Sequence, residues 1–209
     1  MPLTLLCTSA QMSNQTIVLD ADGVLLDYNL AYAGAWKSAF GHRPALRDVN
    51  AYWAFDRWQV DRLEGTSLER FRECFDEEFW TSIPAIDGSV EACKTLVSHG
   101  CQLVCVTALE SRYREARLSN LRTLGFPIDD VFTVEDRGRS ESPKVDIIRK
   151  INPIAFVDDY LPYHRGVPAQ VHKALILREP VGSPNAGAEL LIVNSMHQDL
   201  RAFADVWTA

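Results

Sequence analysis

The sequence has few cysteines, and they are not arranged in pairs. Its five cysteines are an odd number and include no Cys-x-x-Cys spacing, so the sequence predicts neither a disulfide framework nor a zinc knuckle. This usage is typical of a reducing compartment, and we expect a cytoplasmic location. The histidines are scattered as well, and none is spaced as a pair of metal ligands. They are His42, His99, His164, His172 and His197.

Long apolar runs and an excess of basic charge are also missing. No stretch approaches the ~20 apolar residues that cross a bilayer. The formal net charge of -7 provides no basic field to hold a polyanion. We therefore expect neither a membrane nor a nucleic acid as the main partner, whereas a small charged metabolite fits. Residues 1–14 have no basic residue before their short apolar run, which argues against a signal peptide and leaves Met1 or Met12 as the start.

The sequence does contain short apolar runs that alternate with amphipathic segments. With 209 residues, of which 47% are hydrophobic, the chain can bury one substantial core, as a monomer or in a homodimer. The alternation predicts an α/β fold with a mostly parallel sheet. The predicted strands are Thr16–Leu19, Gln102–Thr107, Val131–Val134, Ile154–Val157, Ala174–Leu177 and Leu190–Val193. The first predicted helix begins at the N-cap Ser89 and ends at Gly100, and the second is marked by Leu118, Leu121 and Leu124 and ends at Gly125. The third is marked by Val145, Ile148 and Ile151, and the fourth by Leu200, Phe203, Ala204 and Trp207.

One segment interrupts this alternation. Between residues 29 and 84 there is no strand-like run, whereas helical patterns and aromatic residues are dense. The segment is too long for an ordinary connection, so we expect a helical subdomain of its own. The predicted organisation is a core of residues 1–28 and 85–209 with a helical cap at 29–84. Four of the five tryptophans lie in this cap: Trp36, Trp53, Trp58 and Trp80.

The strongest chemical signal follows the first predicted strand. The apolar run 17–19 leads directly into Asp20, Asp22 and Gly23. In a parallel sheet the carboxyl ends of the strands open into the ligand crevice, so both carboxylates are expected there. Two acids can bind a hard cation through oxygen, and glycine allows the tight turn beside them. Taken alone, the same pattern also fits a plain strand-to-loop exit.

Other predicted strands end in residues that complement this pair of acids. Thr107 offers a hydroxyl and Ala108 an amide to a phosphate oxygen. Lys144 opens a predicted helix and could neutralise a carboxylate and a phosphoryl group. Asp158 and Asp159 directly follow four apolar residues, and adjacent acids in that position are costly unless they are paired or bound to a metal.

With these four signals in this order, the sequence resembles the haloacid dehalogenase superfamily. The resemblance extends from Thr16 to about Asp159 and rests on Asp-Ala-Asp-Gly at 20–23, Thr107, Lys144 and the pair Asp158-Asp159. It implies a Rossmann-like core with helices on both faces, and a small all-helical cap inserted after the first strand.

The resemblance also implies a reaction. Asp20 would attack phosphorus to form an aspartyl-phosphate, and Mg²⁺ would be bound by Asp20, the backbone carbonyl of Asp22 and Asp158, with Asp159 acting through water. Asp22 would protonate the leaving alcohol and later deprotonate water. The dehalogenases of the superfamily lack this second acid. Thr107, Ala108 and Lys144 would hold the phosphoryl oxygens. The expected activity is a magnesium-dependent phosphatase acting on a small phosphate ester.

Two alternatives compete with this interpretation. The chain could be a phosphomutase or a phosphonate-cleaving relative, of which the latter would need a cap lysine, and Lys37 is the candidate. It could also be a binding protein that has kept the fold, although close and mutually repelling acids argue for catalysis. Substrate choice should lie in the cap, where the candidate contacts are Arg57, Arg62 and Thr66.

Overall fold

A six-stranded parallel sheet organises the protein. The computed structural model describes residues 15–136 and 140–209, so the choice between Met1 and Met12 as the start lies outside the described residues. The strands lie in the order β3-β2-β1-β4-β5-β6, and every adjacent pair is parallel. They are β1 (Gln15–Leu19), β2 (Cys101–Ala108), β3 (Val131–Val134), β4 (Ala155–Asp158), β5 (His172–Ile176) and β6 (Ser195–His197). The predicted α/β architecture is confirmed.

Helices cover both faces of the sheet because alternate strand residues point to opposite sides. Ile17 and Leu19 of β1 belong to a large core cluster, whereas Val18 belongs to a second cluster. The helices of the core are α5 (Ser89–Ser98), α6 (Arg114–Thr123), α7 (Val145–Ile151) and α8 (Leu200–Trp207). Side chains of α5, α6 and α8 join the first cluster and those of α7 join the second. Both faces of the central strands are therefore buried.

The helix ends follow the expected chemistry at several positions. Gly100 and Gly125 both have positive φ just beyond α5 and α6, as expected for glycines that end helices. Asp199 caps α8 by accepting a hydrogen bond from the amide of Ala202. Ser89 is not the N-cap of α5, because Gly88 occupies that position and the Ser89 hydroxyl instead donates to the carbonyls of Leu25 and Ile86.

The last predicted strand is wrong. The apolar run Leu190–Val193 falls largely in a 3-10 segment, Gly187–Ile192, and β6 follows at Ser195–His197. The side chain of Leu191 is almost fully exposed, so the run is not a buried strand. A short apolar run does not distinguish a strand from a helical turn, and three residues are enough for an edge strand.

The segment between β1 and α5 is helical. It contains α1 (Tyr28–Phe40), α2 (Ala54–Arg57), α3 (Gly65–Glu73) and α4 (Glu77–Thr81), and we call residues 28–81 the helical insert. Aromatic side chains build much of its core, as shown by the contacts of Phe71 with Tyr32 and Trp36. The insert contacts the core where α4 packs on α6 and where Tyr52 donates its amide hydrogen to the carbonyl of Val181. None of the described helices is both long and apolar enough to cross a membrane.

Candidate active site

The carboxyl ends of the central strands place a buried lysine between two aspartates. Asp20 follows β1, Asp158 ends β4, and Lys144 lies at the N-terminus of α7. The Lys144 Nζ atom lies 2.6 Å from Asp20 Oδ1 and 2.6 Å from Asp158 Oδ2, and its side chain is fully buried. Asp158 is also fully buried, and its second oxygen accepts a hydrogen bond from the amide of Tyr160. The ammonium group therefore neutralises two carboxylates away from water.

Asp159 completes a cluster of three carboxylates. Asp20, Asp158 and Asp159 each offer an oxygen within 4.8 Å of the others, so the group could hold a metal ion. A donor set made only of carboxylate oxygens suits a hard cation. Asn185 fixes the loop that carries Asp159, because its amide group donates to the Asp159 carbonyl at 2.6 Å and accepts from the Leu161 amide at 2.7 Å.

The electrostatics of the cluster follow from its burial. Burial raises the pKa of Asp20 to about 6, although the ammonium of Lys144 opposes the shift. Burial and the neighbouring Asp158 raise the pKa of Asp159 well above its ordinary value. Burial alone would lower the pKa of Lys144, but the carboxylates of Asp158 and Asp20 raise it, so Lys144 stays charged. Burial therefore disfavours the charged forms of these acids despite Lys144, and a bound cation would stabilise those charged forms.

Asp22 lies beside this cluster and has a different partner. Its Oδ2 atom accepts a hydrogen bond of 2.8 Å from Nη2 of Arg117, a residue of α6 that is fully buried. Desolvation raises the pKa of Asp22, and the Arg117 guanidinium opposes that shift. Asp22 is not a member of the three-carboxylate cluster. Its side chain is thus kept apart from the cluster and remains available for another task.

A cavity of about 390 Å³ opens over these groups. Asp20, Asp22, Asp159, Thr107 and Ala108 all line it, so residues from the ends of three strands meet in one space. Aromatic residues of the insert and of the loop after β4 form another part of the lining. They are Tyr28, Tyr52, Trp53, Tyr160 and Tyr163.

Alternating charges connect the insert to the core at the edge of the cavity. Arg178, which lines the cavity, donates to Asp27 at 3.1 Å and lies 2.8 Å from Glu179. Glu179 in turn lies 3.3 Å from Arg57 of α2. Asp27 also caps α1 by accepting a hydrogen bond from the amide of Leu30. The side chains of all four charged residues are largely shielded from solvent, so the ion pairs hold the insert against the core.

The structure brings the predicted core residues together but not the predicted insert residues. Arg57 does not line the cavity; its guanidinium pairs with Glu179 and donates to the carbonyl of Val49. Arg62 and Thr66 are exposed outside the lining. None of these three residues lies at the cavity, and their contact with substrate stays a prediction. The insert residues that line the cavity are Tyr28, Asn29, Tyr52, Trp53 and Ala54.

Several site residues were missed at the sequence level. Arg117 sits on a helix among other arginines, and nothing in its spacing marks it as buried. Asn185 and Arg178 follow the last recognised motif, and their partners Asp159 and Asp27 are distant from them in sequence. The one available signal was the tyrosine-rich stretch after Asp159, of which Tyr160 and Tyr163 line the cavity.

Solved structures share this fold at low sequence identity. A HAD family hydrolase from Deinococcus radiodurans R1, with bound phosphate and sodium, is 15% identical with a TM-score of 0.61, over 90% of this chain and 92% of that one. A putative HAD-hydrolase from Bacillus subtilis bound to magnesium is 17% identical with a TM-score of 0.62, over 94% and 99%. The L-2-haloacid dehalogenase from Xanthobacter autotrophicus is 11% identical with a TM-score of 0.58, over 93% and 98%. At these identities the likeness concerns the fold.

The sequence itself matches a family model. No curated protein matches the chain significantly. The model described as 5′ nucleotidase, deoxy (pyrimidine), cytosolic type C protein matches residues 14–123, which is more than half of the chain and includes the aspartates at 20 and 22, the helical insert and Thr107. The chain therefore belongs to this nucleotidase family, and with it to the haloacid dehalogenase superfamily of hydrolases.

Proposed function

We propose that the protein is a magnesium-dependent phosphomonoester hydrolase in which Asp20 accepts the phosphoryl group. The observation that carries the proposal is the position of Lys144, which is fully buried and lies 2.6 Å from Asp158 and 2.6 Å from Asp20, an aspartate that lines the cavity. A buried ammonium keeps Asp20 ionised and nucleophilic, and it can also stabilise negative charge on a transferring phosphoryl group. Both effects favour covalent transfer of a phosphoryl group to Asp20.

The acid cluster fits the expected metal. Asp20, Asp158 and Asp159 provide the carboxylate oxygens that Mg²⁺ prefers, and the backbone carbonyl of Asp22 is the further ligand that we assign. When bound, Mg²⁺ would neutralise the phosphate oxygens and orient them for in-line attack. Lys144 and the metal would then share the charge that accumulates around Asp20.

The chain's own groups supply the remaining steps. Thr107 lines the cavity and can donate its hydroxyl hydrogen to a phosphate oxygen, as can the amide of Ala108. Asp20 attacks phosphorus, and Asp22 gives a proton to the departing ester oxygen, which leaves as an alcohol. Asp22 then takes a proton from water as this water attacks the aspartyl-phosphate and releases phosphate from Asp20. The presence of Asp22 favours phosphatase chemistry over dehalogenation.

The family and the aromatic lining together favour a nucleoside 5′-monophosphate as substrate. The family model is named for 5′-nucleotidases, which supplies the substrate class. Tyr52, Trp53 and Tyr160 contact one another at the cavity, with ring centroids 4.9 to 6.5 Å apart. Such a surface suits a planar base, because aromatic rings stack on heterocycles.

The phosphonate-cleaving alternative finds no support in the insert. Lys37 is exposed on α1 and does not line the cavity, so it is not placed to form a Schiff base with a bound substrate. Similarity to a putative beta-phosphoglucomutase from Thermotoga maritima, with 18% identity and a TM-score of 0.56, concerns the fold and favours no mutase activity.

Phosphate release from a panel of nucleotides, sugar phosphates and aryl phosphates tests the proposal. Hydrolysis should require Mg²⁺, and it should disappear in Asp20→Asn, whereas Asp205→Asn, which removes an exposed acid of α8, should leave it unchanged. Acid-quenched wild-type protein should carry a phosphoryl group on the peptide that contains Asp20. Undiminished turnover in purified Asp20→Asn, or in wild type stripped of divalent metal, would overturn the proposal.

A further inference from the structure

Arg117 is a charged side chain at a position where charge is expensive. It lies on α6 and is 0% exposed, and it is the largest fully buried side chain of the described residues. Arginine is almost never fully buried unless it is paired, because removing a guanidinium from water costs several kcal/mol. This cost is comparable to the net stability of a whole domain. Its burial therefore calls for a specific partner.

Within the described residues, Asp22 is the acid that pairs with Arg117. Nη2 donates to Asp22 Oδ2 at 2.8 Å, and the guanidinium carbon lies 5.2 Å from the ring centroid of Trp80 in α4. Nε and Nη1 of Arg117 are buried and find no hydrogen-bond partner among the described residues. The guanidinium thus makes one ion pair and one ring contact, and two of its nitrogen atoms are left unsatisfied.

Anchoring the helical insert does not explain this arrangement. Asn120, one turn further along α6, already fastens the end of the insert by donating to the carbonyls of Thr81 at 2.9 Å and Ile83 at 3.1 Å. Buried ion pairs are also poor sources of stability, since replacing both partners with apolar side chains is often neutral or stabilising. The position of Arg117 is better explained by what it does to Asp22.

The two oxygens of Asp22 are in different situations. Oδ2 is bound to Arg117, whereas Oδ1 is buried and has no hydrogen-bond partner among the described residues. The side chain of Asp22 is 26% exposed and lines the cavity, and the ion pair with Arg117 restricts rotation of the carboxyl group there. A general acid must be held within hydrogen-bond reach of the atom it protonates, and small displacements are costly.

We propose that Arg117 is a positioning residue that fixes the carboxyl group of Asp22 for proton transfer to the leaving group. This inference rests on the proposed function. In the first step, the bond between phosphorus and the ester oxygen breaks while a bond forms between Asp20 and phosphorus. The proton moves from the Asp22 carboxyl to the ester oxygen, which departs as an alcohol. Trp80 covers the guanidinium from the side of the insert, so the helix that carries Trp80 takes part in holding this arrangement.

The leaving group provides a test that a merely structural role would not pass. Benzyl phosphate and 4-nitrophenyl phosphate are similar in size, but benzyl alcohol is a poor leaving group that needs a proton, whereas 4-nitrophenolate leaves without one. The kcat/KM value reports steps up to transfer of the phosphoryl group to Asp20 and is insensitive to later hydrolysis. Arg117→Met should lower kcat/KM for benzyl phosphate about 100-fold and for 4-nitrophenyl phosphate less than about 5-fold.

Two further variants keep the test decisive. Arg117→Lys retains the positive charge on a shorter side chain, so its kcat/KM for benzyl phosphate should lie between those of Arg117→Met and wild type. If Arg117→Met does not fold, Arg117→Lys takes its place in the test. In an Asp22→Asn background, Arg117→Met should cause no additional loss on benzyl phosphate, because the group it positions is already absent. The matched control is Arg114→Met, which changes an arginine on the same helix that pairs with Asp130 and should affect both substrates equally.

The outcomes separate this inference from the proposed function. If wild type with Mg²⁺ hydrolyses neither ester nor any other phosphate of the panel, the proposed function itself is overturned. If wild type is active and the Arg117 variants lose the same factor on both esters, or add a full loss to Asp22→Asn, the positioning role is overturned while the hydrolase stands. A selective loss on benzyl phosphate supports it.

Discussion

Gly23 lies so close to Asp159 that a side chain at position 23 would displace the Asp159 carboxylate. A Cβ atom at position 23 would stand 2.1 Å from Oδ2 of Asp159 and 2.4 Å from its Cγ, and the φ angle of Gly23 is +85°. A side chain there would therefore both push Asp159 aside and adopt a strained backbone conformation. The glycine of the first motif therefore makes room for the third carboxylate of the cluster, which belongs to a loop distant in sequence.

Gly23→Ala should accordingly weaken metal binding. The added methyl group must displace Asp159 from the cluster, and we expect the Mg²⁺ concentration needed for half-maximal phosphate release to rise about 10- to 100-fold. Gly34→Ala is the control, because a Cβ atom there meets nothing within 4 Å and its helix should gain about 0.5–1 kcal/mol. Unchanged magnesium dependence in Gly23→Ala would show that Asp159 is not part of the metal site.

Lys144→Met should reduce both activity and stability. The substitution leaves the buried carboxylates of Asp20 and Asp158 facing each other without a positive charge, and breaking a buried pair in this way costs about 3–5 kcal/mol. Denaturant unfolding in the presence of a chelator should show this loss, and added Mg²⁺ should restore part of it by supplying positive charge. Lys150→Met removes an exposed lysine of the same helix and should change neither quantity. Equal stability of Lys144→Met and wild type would contradict the expected pairing.

The positions of the strand-end residues could be predicted from the sequence because local pattern and topology determine them. An apolar run followed by Asp20, or by Asp158, predicts a buried strand and its polar end, and parallel strands bring such ends to one edge. The contacts of Arg117 and Asn185 could not be predicted, since they join segments far apart in sequence. Asn185 lies 26 residues from Asp159, whose carbonyl it binds. The same limit applies to the insert, where helical periodicity does not tell which aromatic side chain faces the cavity.

Acid should destabilise the protein through His164. This side chain is 1% exposed, packs 5.0 Å from the ring of Phe156, and has no hydrogen-bond partner for either nitrogen among the described residues. Burial lowers the pKa of His164 to about 3 from an ordinary value of 6.5. The folded state therefore resists a proton that the unfolded chain accepts, so the stability contributed by neutral His164 is present above pH ~6.5 and is lost as the pH falls from there toward ~3.

His164→Leu should remove this sensitivity. Between pH 7 and pH 5, the free energy of unfolding of wild type should fall by about 2 kcal/mol more than that of His164→Leu, as measured by urea unfolding at both values. Replacing the exposed His42 by glutamine should leave the wild-type decline in place. Parallel pH dependence of wild type and His164→Leu would show that His164 is protonated in the folded state.

Trp53→Ala should separate recognition of the leaving group from catalysis. Trp53 lines the cavity and meets Tyr52 edge to face at 4.9 Å, and its ring contacts are to Tyr52 and Tyr160, so its loss should remove a stacking surface and leave the reacting groups in place. Aromatic contacts contribute about 0.5–1.5 kcal/mol, and we expect KM for a nucleoside 5′-monophosphate to rise up to about 10-fold with kcat nearly unchanged. A small alkyl phosphate, which cannot reach the aromatic surface, should keep its KM. Phe55→Ala removes a similarly exposed ring outside the cavity and should leave KM for both substrates unchanged. If Trp53→Ala and Phe55→Ala had the same effect on KM, Trp53 would be excluded from substrate recognition.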